Sequence, residues 1–216
     1  MEKVKRIISL LEKEYPESRL ALEFKTPLEL LIALILAAQC TDERVNRVTR
    51  EKLFKKYRGA ADYAGADLAT LGEEIRSTGF YRNKAKSIKA CTGNIVGKYK
   101  GKVPGRLEDL LALHGVGRKT ANIVLGNAFG VPAIGVDTHV GRLAQRIGLA
   151  KSKDPDKIEA ELTAAVIPKN KWTKFCHLLQ DHGRKICAAR KPLCYECIIE
   201  KYCDYPDKTI KLEKQT

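Results

Sequence analysis

Leu113-His114-Gly115-Val116-Gly117-Arg118-Lys119-Thr120-Ala121-Asn122 is a glycine-rich turn that opens a helix, with two cations at the helix start. Before it, the pattern of Leu107–Leu113 is that of a short helix. After it, a helix fits Arg118–Phe129, broken by Gly130 and Pro132. The stretch is therefore a helix–hairpin–helix. Gly115 and Gly117 let the backbone come close to a phosphate, and the free N–H groups at the start of the second helix point at the anion. Contacts of this kind fix register on a nucleic acid without reading bases. The Gly-Val-Gly signal is short, and a plain packing corner between two helices accounts for it about as well.

Lys119 lies in the first turn of that second helix. The positive helix end and neighbouring Arg118 disfavour an ammonium there, and a neutral amine can attack a sugar C1′ to form a Schiff base. A simple phosphate contact is the plain alternative, so the chemical reading needs a partner. Val136-Asp137-Thr138-His139 offers one. Asp137 is a good N-cap for a helix over Thr138–Ile147, and a carboxylate mounted there can also take a proton from Lys119 and stabilise charge growing on a ribose. His114 and His139 are expected to be local hydrogen-bonding residues.

Lys and Arg number 40 against 26 Asp and Glu, a net charge of +14 over 216 residues. Because the basic residues rise without matching acids, the charge points to a polyanionic partner, with nucleic acid first. From Arg82 to Lys119 there are ten basic residues, and only Glu108 and Asp109 are acidic. No secretory signal is visible, and the longest apolar run, Leu30 to Ala38, is far short of the roughly 18–20 residues of a membrane span. The expectation is an intracellular, cytoplasmic protein that meets no membrane and works as a monomer.

The remaining pattern is helical, without strand alternation. Ile7, Ile8, Leu10 and Leu11 line one face of a first helix limited by Pro16. Thr26-Pro27-Leu28-Glu29 is a capping box with proline at the first helical position, launching an all-apolar helix over Leu30–Cys40. Helices are also expected over Glu43–Tyr57, ended by Gly59, and over Leu68–Ser77, Asn83–Tyr99, a segment opened by Asp154-Pro155, and Asn170–His182, stopped by Gly183.

Seven cysteines are an odd number, which argues against a disulfide framework and for a reducing interior. Cys187, Cys194, Cys197 and Cys203 lie within 17 residues. Four thiolates suit either a [4Fe–4S] cluster or a structural zinc ion, and the spacing alone leaves both open. Cys40, Cys91 and Cys176 are expected to be buried bystanders. Arg184, Lys185, Arg190, Lys191 and Lys201 flank or lie within the cysteine loop.

The run Leu113–Asn122 followed by Val136–His139 resembles the signature of the endonuclease III family of DNA glycosylases. The likeness extends to Ala37-Ala38-Gln39-Cys40-Thr41-Asp42 and Gly79-Phe80-Tyr81-Arg82-Asn83-Lys84-Ala85. It implies an all-α, two-domain helical DNA glycosylase fold with a helix–hairpin–helix motif and a C-terminal [4Fe–4S] loop. Residues 21–132 would form the helix–hairpin–helix domain, and 1–20 plus 133–216 a discontinuous iron–sulfur cluster domain. It further implies Lys119 as nucleophile, Asp137 as catalytic carboxylate and a [4Fe–4S] cluster held by Cys187, Cys194, Cys197 and Cys203. Damaged double-stranded DNA would be contacted by Gln39, Phe80, Gly115, Gly117, Arg118, Arg190 and Lys191. Gln39 would fill the space left by a flipped base, and Phe80 would wedge the strand open. The implied activity is removal of oxidised pyrimidines in base excision repair, with abasic-site lyase action. His114 stands where the family commonly has proline, and Phe80 where it commonly has an aliphatic residue; for Phe80 the ordinary alternative is a place in the core. A mismatch or adenine glycosylase would lack the lysine, and an electron-transfer protein would need neither Lys119 nor Asp137.

Overall fold

The structure, a computed structural model, describes residues 2–165 and 167–210. Among these every regular element is helical. In chain order they are α1 (Glu2–Glu14), α2 (Pro27–Ala37), α3 (Asp42–Val48), α4 (Phe54–Lys56), α5 (Ala60–Gly65), α6 (Leu68–Glu74), α7 (Tyr81–Tyr99), α8 (Leu107–Leu111), α9 (Arg118–Ala128), α10 (Thr138–Arg146), α11 (Pro155–Ala164) and α12 (Trp172–Lys185). The chain divides into two units. One is Leu20–Val131; the other joins the N-terminal residues through Arg19 to the chain from Pro132 onward.

In the Leu20–Val131 unit, α2 has no polar face, and Leu30, Leu31, Ile32, Ala33 and Leu36 are all fully buried. Thr26 caps it, with its hydroxyl accepting from the Glu29 N–H at 3.2 Å. The return bond of the capping box is displaced by one residue: the Glu29 carboxylate accepts from the Lys25 N–H at 2.5 Å. The helix stops at Ala37 rather than Cys40, because Gln39 turns into the left-handed region with φ 52°. The Glu43–Tyr57 segment is one helical path with a π-helical stretch at Thr49–Leu53, where the Thr49 hydroxyl donates back to the Val45 carbonyl at 3.1 Å. That path ends at Lys56, where Tyr57 turns into extended backbone, and Gly59 then starts α5, which the sequence pattern missed. The Asp62 carboxylate accepts from the Arg58 and Gly59 N–H groups. Helix α7 begins at Tyr81, two residues earlier than expected, and buries Ala85, Ile88, Cys91 and Ile95.

In the other unit, the core is built from Val4, Ile7, Ile8 and Leu11 of α1, Val140 and Leu143 of α10, and Phe175, Leu178 and Leu179 of α12. Leu10, expected on the buried face of α1, only packs partly against that core. Polar contacts tie the N-terminal segment to the C-terminal part. Tyr15 Oη and His182 Nδ1 are 3.0 Å apart, Lys171 Nζ reaches Glu12 Oε1 at 2.6 Å, and Lys174 Nζ donates to the Ser18 carbonyl at 2.6 Å.

Gly183 does not stop α12, which continues to Lys185. Its missing side chain is needed for packing: a Cβ there would lie 2.9 Å from His139 Nδ1, 3.0 Å from Arg142 Nη2 and 3.2 Å from His139 Cβ. The His139 Cβ, held close to its backbone, cannot swing aside. Gly183→Ala is therefore expected to destabilise the protein by about 1–3 kcal/mol through overpacking, although alanine favours the helix. Thermal unfolding of the two proteins checks this.

Candidate active site and nucleic-acid interface

Within Leu20–Val131, the hairpin turn is set by three local constraints. Gly115 has φ +74°, which a side chain would strain. Leu113 and Val116 point into the core, 3% and 6% exposed. The His114 N–H donates to Asn94 Oδ1 of α7 at 3.1 Å. Gly117 is different: its backbone is extended, and a Cβ there would meet nothing within 4 Å. What Gly117 contributes is the absence of a capping side chain, so it leaves the start of α9 uncapped. Arg118 and Lys119 stand exposed in that first turn.

Gln39, Phe80, Lys84, Ser87, Gly115 and Thr120 line one open cavity of about 330 Å³. Gln39 and Phe80 are both non-glycine residues in the left-handed region, φ 52° and 48°. Such backbones are costly and persist only where their surroundings hold them. Phe80 is 62% exposed, so it does not belong to the core. The holding group is Lys84, which sequence reasoning quoted but gave no role. Its buried ammonium donates to the carbonyl of Leu36, near the end of α2, and to that of Thr78, just before the Phe80 turn, each at 2.7 Å. Burial pushes its pKa below the ordinary lysine value. A lysine in a basic stretch carries no sequence sign that it turns inward.

In the other unit, Ala133, Ile134 and Val136 are buried and lead the chain into Asp137. Asp137 caps α10, with Oδ1 accepting from the Val140 N–H at 2.8 Å. Oδ2 accepts from Gln180 Nε2 of α12 at 3.1 Å. Both oxygens thus have donors, and the second one came from a residue with no sequence signal. His139 Nδ1 meets Arg142 Nη2 at 3.0 Å, and burial pushes the His139 pKa down. Lys119 and Asp137 belong to different units.

Cys187, Cys194, Cys197 and Cys203 line a single cavity together with Arg146 and Lys208. All four thiols are free. Arg146 Nη1 donates to Cys187 Sγ, His182 Nε2 meets Cys197 Sγ, and Cys203 Sγ donates to the Arg146 carbonyl, each at 3.2 Å. Burial pushes the Cys197 thiol up to about 11 and raises that of Cys203. No group of three or more His, Cys, Asp or Glu among the described residues is drawn together as a site for a metal ion. Arg190 and Lys191 are exposed. Cys91 and Cys176 are buried, and burial pushes both thiols up to about 12; Cys40, expected buried too, is only half-buried on the turn after α2. Among the described residues no helix is long and apolar enough to cross a membrane.

Comparison with known proteins defines the class first. Residues 32–168 match the family described as the HhH-GPD superfamily base excision DNA repair protein. Among curated relatives, the chain is 49% identical to endonuclease III of Synechocystis sp. over 94% of its length and 92% of the relative's. It is 40% identical to that of Escherichia coli over 96% and 99%. A solved structure of a trapped endonuclease III–DNA covalent intermediate superposes with TM-score 0.87 at 42% identity, covering 94% of each chain. A thermostable thymine-DNA glycosylase superposes with TM-score 0.86 at 28% identity, covering 96% of this chain and 98% of that one. The chain belongs to the endonuclease III family of DNA glycosylases within that superfamily, which are enzymes of base excision DNA repair.

Lys84 makes a specific demand on this site. Lys84→Met leaves two buried carbonyls without their donor, at a cost of about 1–3 kcal/mol. Both left-handed turns lose their common anchor. Lys84→Met should therefore weaken binding of lesion-bearing duplex far more than Lys86→Met, an exposed neighbour on α7. Titrations of both variants against the same labelled duplex measure the difference.

Proposed function

We propose that this chain is a bifunctional DNA glycosylase and abasic-site lyase that removes oxidised pyrimidines from duplex DNA. The observation that carries the reading is Lys119, exposed at a helix start left uncapped for phosphate. The trapped covalent intermediate of the 42%-identical endonuclease III supports covalent chemistry of this kind.

Oxidation weakens the stacking of the damaged base and so lowers the cost of extruding it. Phe80, exposed on a strained turn, enters the opened stack, and Gln39 fills the vacated space. The uncapped N–H groups after Gly117 and the side chain of Arg118 hold the flanking phosphate. Lys119 Nζ attacks C1′ as the N-glycosidic bond breaks, the bonding electrons leave with the base, and the base takes up the proton that the attacking amine gives off through Asp137. Asp137 accepts the proton released by the attacking amine and stabilises the positive charge on the ribose. Ring opening gives the imine between Nζ and C1′. Loss of a C2′ proton then expels the 3′ phosphate by β-elimination, cutting the strand.

The four-cysteine cavity fits a [4Fe–4S] cluster. Its donor set is four thiols, none tied in a disulfide, around one space. The Cys197 and Cys203 thiols, pushed up by burial, would bind metal as thiolates. Cys187, Cys194, Cys197 and Cys203 would hold the cluster, which would cross-link this segment and so shape the part that presents Arg190 and Lys191 to DNA.

Duplexes carrying single defined lesions, with base release and strand scission scored separately, test the reading. Wild type should be trapped on DNA by borohydride and Lys119→Ala should not. Asp137→Asn keeps a good N-cap and should fold normally while excision falls about 10²–10⁴-fold. Efficient trapping by Lys119→Ala would overturn the nucleophile.

The cofactor is checked independently by metal analysis. Anaerobically purified protein should hold about four irons, and Cys194→Ser should lose them while Cys91→Ser does not. One zinc and no iron would refute the cluster.

A further inference from the structure

We infer that Gln180 is the positioning residue that aims the Asp137 carboxylate. The inference rests on the reading of Asp137 as the acting carboxylate and adds what holds it in its working direction.

Gln180 is 8% exposed and its Nε2 donates to Asp137 Oδ2 at 3.1 Å. His177, one turn earlier on α12, is equally buried. An ionised carboxylate only accepts, so Gln180 must offer it the NH₂ group. Around Gln180 on α12, Phe175, Cys176, Leu178 and Leu179 are buried and mostly apolar. A leucine would pack there at less cost, because a buried amide is unfavourable unless it is bonded.

The Val140 N–H alone holds only Oδ1, and the carboxylate could still twist about its Cβ–Cγ bond. A second donor from another helix removes that freedom. The donor is also neutral: a lysine or arginine in its place would cancel the charge that Asp137 has to present to the ribose. Glutamine restrains the group and leaves its charge intact, which suits a carboxylate that acts electrostatically.

The test is a double-mutant cycle on single-turnover excision of a duplex with one oxidised pyrimidine. Gln180→Met keeps the volume and loses the donor, and Gln180→Leu serves as a second apolar replacement if the first does not fold. The excision rate should fall about tenfold, with Kd for the duplex changed by less than about twofold, as expected for a lost hydrogen bond to a charged group. In the Asp137→Asn background the same substitution should cost nothing further. An equal loss in both backgrounds would mean that the effect travels through α12 packing, and would overturn the inference. So would a wild-type rate for Gln180→Met. Either result leaves the Asp137 reading standing, whereas wild-type excision by Asp137→Asn removes that reading and this one together.

Discussion

Every helix begins with backbone N–H groups that have no partner inside the helix, and the functional surfaces of this protein grow from how two such ends are treated. At α9 the cap position is Gly117, which brings no side chain, and the end stays open to an anion. At α10 the cap is Asp137, whose own carboxylate closes the end through the Val140 N–H. One end is left open; the other anchors a negative charge of its own. The same rule of elementary helix chemistry thus yields an uncapped helix end in one unit and a mounted carboxylate in the other.

The mounts depend on buried polar groups that are fully bonded. Lys84 places an ammonium beneath two chain reversals and satisfies the carbonyls of Leu36 and Thr78. Without such a clamp the left-handed backbones of Gln39 and Phe80 would relax, since neither residue favours that conformation. Phe80 is exposed on that strained turn. Asp137 is treated in the same manner, held by a backbone donor along its own helix and a side-chain donor from α12. The cysteine cavity follows a related logic. Arg146 bonds the Cys187 and Cys203 thiols and His182 meets that of Cys197, and burial raises the Cys197 and Cys203 thiols.

What was legible in the amino-acid sequence was whatever rests on neighbours along the chain. The helical class, the caps at Thr26, Asp137 and Asp154, the glycine turn at 115–117 and the grouping of four cysteines all arise within a few residues, so spacing alone reveals them. Local signals misled at two glycines. Gly59 starts a helix where it was read as ending one, and Gly183 marks a close crossing with His139 instead of a helix end. Only the tertiary structure decided that Lys84 turns inward, that Phe80 turns outward, and that Gln180 reaches Asp137 from 43 residues away. These contacts join distant segments, and their sign, buried or exposed, depends on which backbone happens to pass nearby. A lysine, a phenylalanine and a glutamine have no periodicity or spacing that carries such information; it exists only once the helices have packed.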